Sequence, residues 1–240
     1  MLPPKFGPAF LDWLRAATEH AWSGYQPRGF DDYVTAGVGG VDWAHGTRWT
    51  GGLDETTLET VEKRLGVPFG AQQRLFLSML HATAPAMHGA RFIDAERAVP
   101  VTRPGFYHWL DDAAAIDEAR ARVVDGLCFD VEHNRLWPAD WGARPDDAAE
   151  RRATVARLVA DAPPLLPLTG HRFAVGGLHG ESGVVLSVHQ SDIIVYGSDL
   201  RAFLVNELGR LIGAEPIEPN DGRAGARIPF WGRFIVGDWS

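Results

Sequence analysis

Three side chains able to bind a metal or move a proton stand close together at Asp130, Glu132 and His133, and two further imidazoles, His171 and His189, lie beyond them. If residues 127–131 form a strand, Asp130 and Glu132 share one face and His133 sits at the turn beyond it. A metal-dependent hydrolase would need such carboxylates to converge with an imidazole. The chain has no His-Glu-x-x-His or two-His-one-carboxylate spacing. The trio therefore reads as a polar strand face followed by a turn, and no metal or cofactor is expected. His171-Arg172, after Gly170, could serve as a general base or hold an anion. At a strand start, though, such a pair more commonly bonds the backbone, with the guanidinium on a carboxylate such as Asp192. Gln190-Ser191-Asp192 lies between two apolar runs and reads as a turn held by its own side chains. Asp130, His171, Arg172, Gln190, Asp192 and Tyr196 are thus expected to form a structural polar motif, with no catalytic residue among them.

Other chemistries find little support. Cys128 is the only cysteine, which excludes a disulfide within the chain and a cysteine-based zinc site. Its neighbours Leu127 and Phe129 are apolar, so an inert, buried thiol is expected. No Gly-x-Ser-x-Gly elbow occurs. Gly37-Val38-Gly39-Gly40 lacks a preceding strand, a following helix and the Gly-Lys-Ser/Thr of a phosphate loop. Tryptophans make favoured interface anchors where they are exposed. Trp137, Trp141, Trp231 and Trp239 are the candidates for holding a protein partner.

The elements that must position these residues are read from periodicity. Phe10, Trp13, Leu14, Ala17 and Ala21 form one stripe of a first helix. Residues 23–52 read as a long irregular segment containing at most a short strand. Thr56 and Glu59 make a capping box for a second helix that Gly66 ends. A third helix spans 71–82, with Leu75, Phe76, Met79 and Leu80 on its apolar side. A fourth starts at Asp111 or Asp112 and ends at Asp125-Gly126. A strand with Leu127, Phe129 and Val131 inward is expected next, then a turn at His133-Asn134 and a return strand from Leu136-Trp137. Asp146 caps a fifth helix that Pro163-Pro164 stop. Strands are read at 165–168, 172–175, 184–188 and 193–196, then a helix capped by Ser198 or Asp199. Val184, Leu186, Val188, Ile193 and Val195 are expected to face the core with the 127–131 positions. The aromatic tail from Ile228 to Trp239 should pack back on the domain. Helices dominate the first half and strands the second, which favours an α+β fold.

The net charge of −8 argues against nonspecific binding to nucleic acid and suits a basic protein partner. No window approaches the length of a membrane span. Asp12, Arg15 and Glu19 interrupt the opening segment where a signal peptide needs an apolar run, so a cytoplasmic location is expected.

Several blocks, in order, resemble the SUKH superfamily, which includes bacterial immunity proteins and the Smi/Knr cell-wall regulators. The helical opening is Glu62-x-x-Leu65-Gly66-Val67-x-Phe69, then Arg74-x-Phe76-Leu77. The longer match runs from Gly126-Leu127-x-Phe129-Asp130-Val131-Glu132-His133-Asn134 through Trp137, Trp141-Gly142-x-Arg144-Pro145 and Gly170-His171-Arg172-Phe173. It ends at Ser187-Val188-His189-Gln190-Ser191-Asp192-Ile193-Ile194-Val195-Tyr196-Gly197. Gly70, Gln73 and His81-Ala82 stand where the family often has Pro, Tyr and Asn-Gly, and nothing before Asp54 takes part in the resemblance. The resemblance implies N-terminal helices packed on one face of an antiparallel-rich sheet. It divides the chain into residues 1–53, a helix with a Gly/Trp-rich extension, and residues 54–240, a SUKH-like domain, together one compact unit. It also implies a protein-binding role, as an immunity protein occluding a toxin or as a regulatory scaffold without one.

Overall fold

The computed structural model describes residues 3–177, 183–218 and 223–237. Helices α1 (Pro8–Ser23) and α2 (Phe30–Ala36) lead into strands β1 (Gly40–Asp42) and β2 (Arg48–Trp49). Helices α3 (Glu55–Leu65) and α4 (Ala71–Met79) come next, then strands β3 (Thr83–Ala84), β4 (Met87–Phe92) and β5 (Ala98–Arg103). The long helix α5 (Ala113–His133) and a 3-10 turn at Ala139–Trp141 precede α6 (Ala148–Asp161). Strands β6 (Leu165–Thr169), β7 (Arg172–Val175), β8 (Val185–His189) and β9 (Asp192–Gly197) lead to α7 (Leu200–Ile212) and the short α8 (Arg223–Ala226) and α9 (Gly232–Val236). The strands form sheets of order β1-β4-β5, β2-β3 and β6-β7-β8-β9, every pairing antiparallel. The class is α+β.

Local chemistry accounts for most helix ends. Asp54 caps α3 by accepting from the Thr57 amide at 2.8 Å, two residues before the expected Thr56 box, and Gly66 closes it in the left-handed conformation. Asp147, one residue past the expected cap, accepts from the Glu150 amide to start α6. Asp199 does the same for α7 through the Ala202 amide at 2.7 Å. Helix α4 ends at Met79, short of the expected residue 82. In α1 the buried stripe is Phe10, Leu11, Leu14, Thr18 and Trp22. It is rotated from the expected one because the Thr18 hydroxyl accepts from the Trp49 indole at 2.9 Å and so belongs inside.

The expected strand at 127–131 does not exist. Helix α5 continues to His133, burying Ile116, Ala119, Val123, Leu127 and Val131 along one stripe. Leu127 and Val131 are four apart, a spacing that satisfies a helix and a strand alike; Phe129 separates the two, and it is 47% exposed. Gly126, read as a helix end, lies inside α5, where a Cβ would stand 3.0 Å from the Gln190 Cα. A glycine costs about 1 kcal/mol in a helix interior, and here it allows α5 to touch the β8–β9 turn. The return strand at Leu136-Trp137 is likewise absent: residues 135–138 take no regular structure and lead into the 3-10 turn.

The four-stranded sheet is covered on both faces, where helices on one face were expected. Register places Phe173, Leu186, Val188, Ile193 and Val195 on one face. Val195 meets α8 and α9 there, at Gly225. On the other, Arg172, Ser187 and Tyr196 meet α7, behind which α1 and α4 pack. The strand positions expected to be inward, Val184, Leu186, Val188, Ile193 and Val195, are all buried. Of the aromatic tail, Ile228, Trp231 and Phe234 are buried; Trp239 lies outside the described residues. The segment before Asp54 shares its sheets with residues beyond that boundary, β1 pairing with β4 and β2 with β3.

This packing separates two substitutions that a strand would have made equivalent. Leu127→Ala should cost about 2–5 kcal/mol in chemical denaturation, and Phe129→Ala within about 0.5 kcal/mol of nothing. Equal losses would restore the strand.

Candidate functional site

The polar motif read from the sequence splits into two clusters. Asp130, 2% exposed, fastens the end of α5 to the β8–β9 turn. One carboxylate oxygen accepts from the Ser191 amide at 2.8 Å and from the Ser191 hydroxyl, and the other accepts from the Asn134 amide group at 2.6 Å. Gln190 sits in that turn with a φ of +58°. On a helix, residues two apart face nearly opposite ways, so Glu132 leaves Asp130 and takes the Arg151 guanidinium at 2.7 and 2.5 Å. That bond holds the Glu132 carboxyl below its ordinary range. His133 packs on the Phe129 ring at 4.4 Å. The three residues that suggested a half-built metal site thus turn to three different neighbours. Cys128 lies on α5, half-buried, and burial raises its pKa, which keeps it a thiol.

The second cluster centres on Arg172. Its guanidinium donates to the Ser187 hydroxyl at 2.6 Å, lies 3.5 Å from a Glu207 carboxylate oxygen and covers the Tyr196 ring at 3.9 Å. The carboxylate partner is Glu207, where Asp192 was expected. Arg172 stands opposite Ser187 in the ladder, while Asp192 stands opposite His189 at the exposed end. Burial, then the charge of Glu207, raises the Tyr196 pKa.

Beside this cluster a cleft of about 920 Å³ opens between the β1-β4-β5 sheet, α5 and the β6–β7 turn. Its polar lining includes Arg91, Arg103, Tyr107, Glu118, Arg122 and His171. A smaller hollow of about 230 Å³ shares Arg122, Gly170 and His171 and extends to His189 and Gln190. Burial, then the neighbouring Arg172, His189 and Arg103, push the His171 pKa down to about 4. Tyr107 is raised by burial. Sequence reasoning missed Arg103, Tyr107 and Arg122. Arg122 stands four residues after Glu118, a spacing that in a helix makes an ordinary ion pair, and the segment carrying Arg103 and Tyr107 has no periodicity to mark it.

Of the four tryptophans, two are core residues. Trp231 is 1% exposed and donates to the Pro163 carbonyl at 2.7 Å. Trp141, 7% exposed, stacks on Phe230. Neither is a surface anchor in this conformation. Trp137 is only partly buried. Its indole donates to the Gly142 carbonyl at 2.8 Å, and its ring meets Trp141 edge-on at 5.5 Å. It borders a hollow of about 260 Å³ together with Asp130, Asn134, Arg135, Leu136 and Ser191.

No protein-family model, no curated protein and no solved structure matches this chain. Among the described residues, no helix is long and apolar enough to cross a membrane.

One buried imidazole lies apart from both clefts. His81 is 1% exposed and accepts from the Trp109 amide at 2.9 Å, with the His108 ring 4.3 Å away. Burial, then the neighbouring His108, lowers its pKa to about 4. The unfolded chain therefore takes up a proton that the folded chain refuses, so stability is full above about pH 6.5 and declines as the pH falls towards 4. Denaturation at pH 7 and pH 5 should show a loss at pH 5 on the order of 2 kcal/mol from His81. His81→Gln should flatten that part of the slope.

Proposed function

We propose that the chain is a cytoplasmic protein-binding protein, most concretely an immunity protein that neutralises a bacterial toxin by occluding it, and that it acts without chemistry of its own. The observation that carries this reading is Trp137. A partly exposed indole, pinned by its own N–H and braced by a buried Trp141, has little conformational freedom left to lose when a partner covers it. It stands on a loop that exposes Asp140, Asp146 and Asp147, which suits a basic partner. Asp140 is fixed from behind by Arg233, whose hydrogen bonds hold its carboxyl below the ordinary range, so this part of the acidic face is ordered. The buried Asp130 carboxylate, bound to Ser191 and Asn134, supports the neighbouring hollow. The SUKH-like order of the sequence blocks supports the same reading.

Expression of the adjacent reading frame with and without this chain tests the proposal: growth arrest relieved by the chain supports it. Once the partner is in hand, Trp137→Ala should weaken binding by about 2 kcal/mol, roughly thirtyfold, while leaving the melting temperature close to wild type. Association should slow as salt rises. A partner bound equally well by Trp137→Ala and insensitive to salt would refute this surface.

A further inference from the structure

We propose that the cleft between the β1-β4-β5 sheet and α5 binds a small organic anion, its phosphate or carboxylate head group held by Arg103 with Arg122 and Tyr107 beside it. The proposal goes beyond the protein-binding reading and rests on different residues. The charge of the cleft is opposite to that of the chain. Among the described residues, the guanidinium groups of Arg91, Arg103 and Arg122 and the uncharged imidazole of His171 line it against a single carboxylate, Glu118, in a protein of net charge −8.

Pairing uses up the nearby acids. Glu118 accepts from Arg122 at 2.8 Å, and Glu207 takes Arg172 at 3.5 Å. The Arg103 guanidinium is left, among the described residues, with neither a hydrogen bond nor an ion pair, although the residue is partly buried. Burial lowers its pKa, but a guanidinium does not give up its proton in a protein. An uncompensated charge drawn out of water is costly, and an oxyanion meeting the planar fork of an arginine removes that cost with two parallel hydrogen bonds.

The backbone makes room for this guanidinium. Gly170 turns between β6 and β7 with a φ of +52°, and a Cβ there would stand 2.4 Å from an Arg103 terminal nitrogen. The Tyr107 hydroxyl, 3.4 Å from the Gly170 carbonyl, reaches the same place. Apolar walls from Val41, Phe92, Val101 and Ala115 complete the cleft. Its volume is that of a small-molecule pocket, with apolar walls and a few convergent polar groups.

Amide resonances of the full chain, followed as phenyl phosphate, benzoate or neutral benzyl alcohol is added, test the site. The two anions should move Gly170, His171 and Arg103 saturably, and benzyl alcohol should not; the tighter of the two identifies the head group. Arg103→Gln should weaken binding at least tenfold without lowering the melting temperature, because it breaks no ion pair. Arg122→Gln, at an exposed position, should weaken it severalfold and keeps the test open if the first variant fails to fold. Equal shifts with the neutral probe, or shifts reproduced by sodium chloride alone, overturn the proposal. So does an Arg103→Gln variant that melts lower yet binds as well as wild type.

Discussion

The burial of Phe106 is the constraint on which the rest of the structure depends. Its ring lies 4.8 Å from Trp49, 5.9 Å from Phe76, 6.1 Å from Phe203 and 6.4 Å from Trp43, so one side chain joins the N-terminal helices, the small sheets and α7. Aromatic burial supplies large contact areas and preferred ring geometries. Two backbone amides lock the segment in place: that of Phe106 donates to the Thr83 hydroxyl at 2.9 Å and that of Tyr107 to the Leu168 carbonyl at 3.1 Å. Gly105 has no room for a side chain, since a Cβ would meet Trp43 at 2.2 Å and the Thr83 hydroxyl at 2.5 Å. Arg103 and Tyr107 flank this fixed stretch, so the floor of the cleft is set by core packing.

The opposite wall is held by a second fastening, made of polar groups. Gly126 lets α5 approach the β8–β9 turn, and Asp130 fills both its oxygens with donors from Ser191 and Asn134. A buried carboxylate satisfied in this way rigidifies its surroundings; stripped of one donor it would be costly. The consequence at a distance is that Ala115, Glu118 and Arg122, earlier on the same helix, face the β1-β4-β5 sheet across the cleft. Net charge does not describe the cleft: an acidic loop carries Trp137 at one end of α5, while arginines line the cleft at the other.

Much of the fold was legible locally. Gly66, Asp199 and Pro163-Pro164 stop or start helices through groups within a few residues of them, and strands β6 to β9 show in short apolar runs. The β4–β5 hairpin was not legible, because Gly89 and Pro100 stand inside it. Gly89 is there because a Cβ would lie 1.9 Å from the Gly40 carbonyl oxygen on β1. Pro100 is tolerated because β5 is an edge strand and needs fewer amide donors. The first reason lies in a strand far away in sequence, the second in the order of the strands in the sheet.

What the sequence determined by itself was the α+β class, the strands of the larger sheet and several helix termini. These come from periodicity and from side chains bonding backbone nearby. Tertiary structure alone decided that α5 runs on through 127–131, that Arg172 pairs with Glu207, that Trp141 and Trp231 are core, and that Arg103 is left facing a cleft. Each of these depends on which distant group comes to lie at a given hydrogen bond or apolar surface. Alternation over five residues fits two backbone geometries, and only the sheet that packs against them selects one.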